Sequence, residues 1–503
     1  MKIVTTKILS DEKWSKAEYE VALKEDGSIY IDAGCINIKK ISIEFETNFS
    51  EKCIACGDAW ERIYADVYWG NTENRIMPWY CIFSDNDKIY CYGVETQPNA
   101  FCFWEYKNNR LTLILDVRNG NNGISFMEKF FVAKLVYREY SGDLFSAASD
   151  FCRAMCPNPR LPKRPIFGGN DWYSNYGDNS FEKIIWHTER IAEYADGLKH
   201  RPYMIVDDGW QKYYRPASKE ATHYDGGPWD SANEKFGDMG RVAEEIDKRG
   251  AIPGIWFRPL NLSSGMRQEC FFDYNKGVLD PTVSEVQSYI TESIKQFIKK
   301  GFKIIKHDFS SFDLFGRYVH STDDLACATV GSFSDKRKTN AQIIKDFYRL
   351  IRNAAGDDCM LIGCNTFSHL SAGFFEIQRT GDDTSGVDWE RTRDYGVNAL
   401  AFRMPQHMNF YCADADCIGV TNSIDWNLNK QFLDVVSKSG TALFVSLARD
   451  ACDNEKGKAI SAAFEKCCEN TKPSKPIDWT TNKTPRIWES LFGNDIYDWD
   501  LQN

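Results

Sequence analysis

Between residues 1 and about 150, apolar and polar positions alternate in short runs. SIYIDAG, ISIEFET, KIYCYGVE and RLTLILDVR each favour apolar side chains at every second position and are set apart by Gly, Asn and Asp. A period of two marks strands with one buried face, and no long stretch here repeats at helical spacing. The pattern predicts an all-β domain of sandwich type over residues 1–155. CPNPRLPKRP (156–165) then places four prolines in ten residues, which continues neither a helix nor a central strand and marks the passage to a second domain.

Beyond it the period changes. Short apolar runs near 166–173, 203–208, 252–257, 303–308, 359–364, 375–380, 408–412 and 442–447 are interleaved with amphipathic stretches near 181–197, 238–249, 284–300, 338–354 and 388–401. Strand and helix in alternation give a parallel sheet with crossover helices, and eight such strands predict closure into a (β/α)8 TIM barrel over 160–450. The fold class is therefore α/β, a barrel preceded by a β-sandwich. An open doubly wound sheet is disfavoured because no G-x-G-x-x-G follows a strand. A helical run, KGKAISAAFEKCCE, and a tail with Pro and Trp make 451–503 a short C-terminal extension.

Composition narrows the function. With 43% hydrophobic residues in 503, the chain has ample material for folded cores. A formal charge of -11 repels phosphate backbones, so no nucleic-acid partner is expected. The N-terminal MKIVTTKILSDEKW has no apolar core of a signal peptide, and no run reaches the roughly 18 apolar residues of a membrane span. The expectation is a cytoplasmic protein with no membrane partner, its 17 cysteines reduced. Cys53-x-x-Cys56 and Cys467-Cys468 lack the second spaced pair of a zinc site, and the seven histidines form no H-E-x-x-H. Neither metal nor cofactor is expected, and no G-x-S-x-G points to a serine nucleophile. The 15 Trp and 24 Tyr suit the flat C–H faces of sugars as well as an ordinary core, so a small neutral glycoside or oligosaccharide is the expected partner.

Acidic residues gather at the predicted strand ends, where barrels of this kind place their chemistry. The second strand ends in Asp207-Asp208-Gly209-Trp210, the fourth in Lys306-His307-Asp308 and the sixth in Arg379-Thr380-Gly381-Asp382-Asp383, while Asp414 and Asp416 are expected to follow the seventh. Any one of these serves equally well as a helix cap or turn residue. Together they imply a densely negative cavity, which is costly to assemble unless the groups bind or react. Lys306 shares a strand face with Asp308 and is placed to keep it ionised. Retaining glycoside cleavage needs two carboxyl groups about 5–5.5 Å apart. Asp308 and Asp382 lie 74 residues apart, about two βα units, which places them on one rim with Asp308 expected to hold Asp382 protonated.

These strand ends resemble the clan D glycoside hydrolases, families 36 and 27, which are α-galactosidases and α-N-acetylgalactosaminidases built on a (β/α)8 barrel. The resemblance covers residues 160–450. Asp207-Asp208-Gly209-Trp210 is similar to the D-D-G-W whose aspartates bind sugar hydroxyls, and Gly254-Ile255-Trp256-Phe257 to a G-L-W-F on the third strand. Lys306-His307-Asp308 is similar to K-x-D, which implies Asp308 as nucleophile and Lys306 as substrate ligand. Gly381-Asp382-Asp383-Thr384 resembles S-D-D-T, which implies Asp382 as acid/base. Arg379 is similar to a family 27 arginine that contacts the sugar, although the spacing there is one residue longer. Asp414-Ala415-Asp416 resembles a largely structural D-P-D.

Trp172 and Trp256 are candidate walls of the sugar pocket and Cys364 a further contact. The Cys364-Asn365-Thr366-Phe367-Ser368-His369 segment lacks the family's glycine-rich loop, and Phe309-Ser310-Ser311 replaces its Met-Asn-Arg. The expected activity is retaining hydrolysis of terminal α-linked galactose. α-N-acetylgalactosaminidase, α-galactosyl transglycosidase, a metal-dependent lyase or isomerase and a non-catalytic sugar-binding barrel stay open, as does assembly into homo-oligomers.

Overall fold

The computed structural model describes residues 2–17, 19–71, 75–212, 226–262, 265–272, 275–320, 331–470 and 472–500. Strands over Lys2–Ser141 form two antiparallel sheets. One sheet centres on Cys35–Glu46 paired with Arg110–Asp116, and the other on Phe130–Ser141 paired with Lys88–Val94. Their inner faces meet through aromatic rings: Tyr92 lies 5.9 Å from Trp104, and Phe83 lies 5.7 Å from Tyr106. The alternation along Cys35–Glu46 shows the cause, since Ile41, Ile43 and Phe45 are wholly buried. The expected sandwich is present.

The helix Leu144–Met155, capped by the Asp143 side chain on Ser146 N at 2.9 Å, leads out of it. Small residues weaken its apolar stripe, and the sequence pattern did not foretell it.

Eight parallel strands then close a barrel: β1 (Phe167–Asn170), β2 (Tyr203–Val206), β3 (Ile252–Phe257), β4 (Ile304–His307), β5 (Met360–Gly363), β6 (Ile377–Arg379), β7 (Cys412–Val420) and β8 (Ala442–Leu447). The expected fold class holds. Three expectations need correction. The seventh strand does not occupy 408–412: residues 408–410 form a turn, with Met408 at φ 57°, and β7 starts at Cys412. Asp414 and Asp416 therefore lie inside the strand, not after it. The register slips between Asp414 and Cys417, and Asp416 takes φ 69°, a bulge that re-aims its side chain.

The helix expected over 388–401 is interrupted by a π-turn at Arg393–Asn398 between Trp389–Thr392 and Ala399–Arg403. The run KGKAISAAFEKCCE lies in the helix Asn454–Glu469, which packs on Phe181–Tyr194 and on an unforeseen helix, Trp426–Ser439. It thus completes the ring around the barrel. The tail beyond it forms a small antiparallel sheet, residues 475–496, that packs on Trp426–Ser439 and buries Trp479 against Trp69 and Phe402. Among the described residues no helix is long and apolar enough to cross a membrane.

Sandwich and barrel are joined by a buried segment, Asp58–Ile63. Asp58 and Arg403 are 3% and 0% exposed and pair at 3.0 Å, with Gln406 donating to the second carboxylate oxygen at 2.8 Å. Arg403 also donates to the Ala59 and Glu61 carbonyls. Burial pushes the Asp58 carboxyl up, so its charge depends on this partner. Removing one member of such a pair strands the other. Asp58→Ala is expected to lower the unfolding free energy by about 3–5 kcal/mol, read as a lower midpoint in urea; a change below about 1 kcal/mol would show that the pair is not what joins the domains.

Candidate active site

The C-terminal ends of the barrel strands enclose a cavity of about 90 Å³ lined by Trp172, Asp207, Asp208, Trp256, Lys306 and Asp308, together with Arg62, Phe309, Tyr318, Asn365 and Asp383. Of the expected site residues, Asp382, Cys364 and Arg379 do not line it. Arg379 is buried behind the wall, donating to Asp416 at 2.8 Å and to Cys364 Sγ at 3.4 Å.

Asp308 sits just past β4. Trp256 Nε1 donates to its Oδ2 at 2.9 Å and the Phe309 amide to its Oδ1 at 2.8 Å. Asn365, in the orientation its neighbours require, donates to Oδ1 at 2.7 Å. Burial alone would raise this carboxyl, but Lys306 and Arg62 outweigh it and hold Asp308 below the usual carboxylate range. It is an ionised, anchored carboxylate. Phe309 adopts φ 61° to bring its amide there, a left-handed conformation unusual for a bulky side chain. Its ring is held by Arg258, whose guanidinium carbon lies 4.3 Å from the centroid.

The β2 end is equally ordered. Asp207 accepts from Lys306 Nζ at 2.7 Å and Asn170 at 2.5 Å, and Asp208 from Gln211 at 2.6 Å. Gly209 follows at φ 113°, where a Cβ would lie 2.5 Å from the Gly177 carbonyl oxygen, so D-D-G-W needs its glycine. Burial opposes the charge on Lys306, but Asp207 and Asp308 keep it protonated. Its neighbour His307 points away from the cavity onto Phe347, Tyr348 and Phe375, as alternation along a strand requires.

Past β6 the two aspartates diverge. Asp382 turns to Arg62 at 2.7 Å and to the part-exposed Arg391 at 3.1 Å. Asp383 faces the cavity, meeting Arg62 at 2.8 Å and Arg379 at 3.3 Å. Burial would raise the Asp383 carboxyl, yet Arg62, Arg379 and Lys306 hold it well below the usual range. The turn is fixed by Gly381, where a Cβ would meet the Tyr395 carbonyl oxygen at 2.0 Å. Asp416 braces it from β7, accepting from Thr384 N at 2.9 Å.

Arg62 and Tyr318 escaped sequence reasoning altogether. Arg62 comes from the sandwich, about 320 residues from the aspartates it meets, a separation no strand-end pattern spans. Among the described residues, no three His, Cys, Asp or Glu side chains are placed to hold a metal ion. The arrangement can bind hydroxyl-rich ligands through Asp207, Asp208 and Lys306, and it presents an ionised carboxylate, Asp308, with a second carboxyl, Asp383, on the same cavity.

Sandwich, closed barrel and acidic rim define a glycoside-hydrolase-like architecture. No protein-family model matches the chain. Solved structures do share its fold. The α-galactosidase TtGalA from Thermus thermophilus, in complex with p-nitrophenyl α-D-galactopyranoside, superposes with a TM-score of 0.65 at 15% identity over 99% of both chains. A variant of the GH36 α-galactosidase AgaA from Geobacillus stearothermophilus, in complex with raffinose, gives 0.61 at 13% identity over 95% of this chain and 71% of its own. The α-galactosidase from Lactobacillus brevis gives 0.60 at 13% identity, over 96% and 71%. The fold resembles those of these α-galactosidases, the GH36 enzyme AgaA among them, over nearly the whole chain.

Burial pushes the Asp208 carboxyl up to about 7, with Asp207 adding to the rise. Between the unfolded value near 4 and this one, the folded state binds the more protons, so stability falls as pH rises through that window. Asp208→Asn keeps an acceptor for Gln211 and removes the charge. Its melting temperature is expected to match wild type near pH 4 and to exceed it at pH 8, by on the order of 2–4 kcal/mol in stability; a pH-independent difference would show that Asp208 ionises normally in the fold.

Proposed function

We propose that the protein is a retaining exo-α-glycosidase that releases a terminal α-linked galactose by double displacement. The observation that carries this reading is the small cavity at the strand ends in which the anchored, ionised Asp308 and the carboxyl of Asp383 face the same space as Asp207, Asp208 and Lys306. Asp308 attacks the anomeric carbon while Asp383, in the fraction of enzyme in which it has taken a proton from solvent, passes that proton to the glycosidic oxygen, and the bond to the leaving group breaks. Asp383 then takes a proton from water, which attacks the same carbon, displaces Asp308 and restores the α configuration. Two carboxyls and water suffice.

Asp383 is assigned as acid/base in place of the expected Asp382 because it lines the cavity, whereas Asp382 is drawn towards Arg391. Asp207, Asp208 and Lys306 offer acceptors and a donor for the sugar's hydroxyls. The cavity at the strand ends is where the terminal sugar would sit, among these three side chains. Complexes of structural neighbours with p-nitrophenyl α-D-galactopyranoside and raffinose support the same substrate class. The described cysteines all carry free thiols, which supports the cytoplasm as compartment.

A panel of nitrophenyl α-glycosides tests the reading. Wild type is expected to cleave the α-galactoside, with the α-anomer as first product by NMR. Asp308→Ala should lose at least about 10⁴-fold in kcat/KM, on the order seen when a nucleophile is removed. Asp383→Ala should slow substrates with poor leaving groups by about 10²–10⁴-fold, and azide should restore its turnover of a dinitrophenyl substrate. Azide rescue of Asp382→Ala instead would return the acid/base role to Asp382. No cleavage of any α-glycoside would sink the reading.

A further inference from the structure

Among the described residues, Arg62 is the one cation in the cavity wall that the barrel does not supply. Its backbone is fixed where the sandwich segment pairs with the end of β6: Ile63 N donates to the Thr380 carbonyl at 2.9 Å, and Asp382 N to the Ile63 carbonyl at 3.1 Å. The side chain is 2% exposed and its donors are fully engaged. One terminal nitrogen meets Asp383 at 2.8 Å and the other Asp382 at 2.7 Å. Nε and the second terminal nitrogen reach the Asn365 amide oxygen at 3.2 and 2.8 Å, and the Asn365 nitrogen in turn donates to Asp308 at 2.7 Å. An unbroken chain of hydrogen bonds thus runs from one cavity carboxyl to the other.

We infer that Arg62 is a positioning residue for both reacting carboxyls, holding Asp383 directly and Asp308 through Asn365, so that the sandwich domain completes the active site. The inference rests on the glycosidase reading above. A planar guanidinium presents five donors in a fixed fork, enough for both carboxylates and two bonds to the amide oxygen, whereas an ammonium has only three.

The same contact sets when Asp383 can act as an acid. The groups that face it are Arg62 from the sandwich, Lys306 and Asp308 from β4 and its end, Arg379 from β6, Arg391 from the helix beyond, Tyr173 after β1, Tyr318 after β4 and the adjacent Asp382. Arg62 leads the cations that lower its proton affinity. Removing Arg62 should therefore let Asp383 keep its proton to higher pH, while loosening its placement.

The test compares wild type, Asp308→Ala, Arg62→Gln, Arg62→Lys, Arg62→Ala and Asn365→Ala, all full length and checked for folding by circular dichroism and melting temperature. Wild-type activity that disappears in Asp308→Ala establishes the reading on which the inference stands. Given that, Arg62→Gln is expected to lower kcat/KM about 100-fold on an α-galactoside with a sugar leaving group and less than about tenfold on a dinitrophenyl α-galactoside, which needs little acid assistance. The basic limb of its pH profile should move upward by about one unit or more. Arg62→Lys should not recover the loss, whereas guanidinium ion should partly rescue Arg62→Ala. Asn365→Ala should slow both substrates alike and leave the basic limb in place, because it breaks only the link to Asp308. An active wild type whose Arg62→Gln variant loses equally on both substrates, with an unmoved basic limb, would overturn the inference while leaving the glycosidase reading intact. An inactive wild type would overturn both.

Discussion

The pairing of Ile63 with Thr380 and Asp382 is the contact on which the site depends. Two main-chain hydrogen bonds extend the end of β6 by a strand-like segment from another sheet system, and backbone pairing fixes direction and register as well as proximity. Arg62 precedes Ile63, and Asp382 and Asp383 follow Thr380, so one short ladder sets the approach of a guanidinium to two carboxylates. The neighbouring Asp58–Arg403 pair and the Trp60 ring, wholly buried against Trp79 and Phe101, keep the segment from sliding. Main-chain geometry, core packing and a buried ion pair act on the same few residues.

Charge balance explains why such bracing is needed. Among the described residues, Asp207, Asp208, Asp308 and Asp383 face one small cavity against Lys306 and Arg62 alone. Taking carboxylates out of water costs several kcal/mol apiece unless partners compensate, and the compensation is uneven. Asp308 and Asp383 lie nearest the cations, which lower the proton affinity of both, while Asp208 has a neutral amide for its closest partner and is pushed towards neutrality. The site thus sorts chemically identical side chains into different roles by environment alone. It also stores instability in Asp208 and in the left-handed Phe309, a common cost of positioning reactive groups.

Much of this was legible in the sequence. Period-two runs marked the sandwich, eight apolar runs the barrel, and D-D-G-W and K-x-D the ends of β2 and β4, because each is a local pattern with a local physical cause. β7 was misread: its apolar approach, Met408 to Tyr411, is a turn and bridge, and its polar Asp414 and Asp416 belong to the strand. Strand polarity there makes sense only once Arg379, Tyr173 and Thr384 are seen to converge on the bulged Asp416. Arg62 was illegible for a different reason. Nothing in DAWERIYAD distinguishes an arginine that spans a domain boundary from one on the surface.

The proposed displacement of the acid/base role by one residue, from Asp382 to Asp383, shows where pattern reading reaches its limit. Aligning G-D-D-T on S-D-D-T selects the first aspartate, whereas counting from Arg379 with the longer family 27 spacing selects the second. The patterns disagree because adjacent residues past a strand end point in different directions, and a tight turn decides which side chain meets the cavity. Here Gly381 lies against the Tyr395 carbonyl, and Asp382 gives its own amide to Ile63. With its backbone committed to the sandwich segment, Asp382 carries its carboxylate towards Arg391, and Asp383 is left to turn inward. The domain that supplies Arg62 therefore also helps select which aspartate Arg62 holds in the cavity.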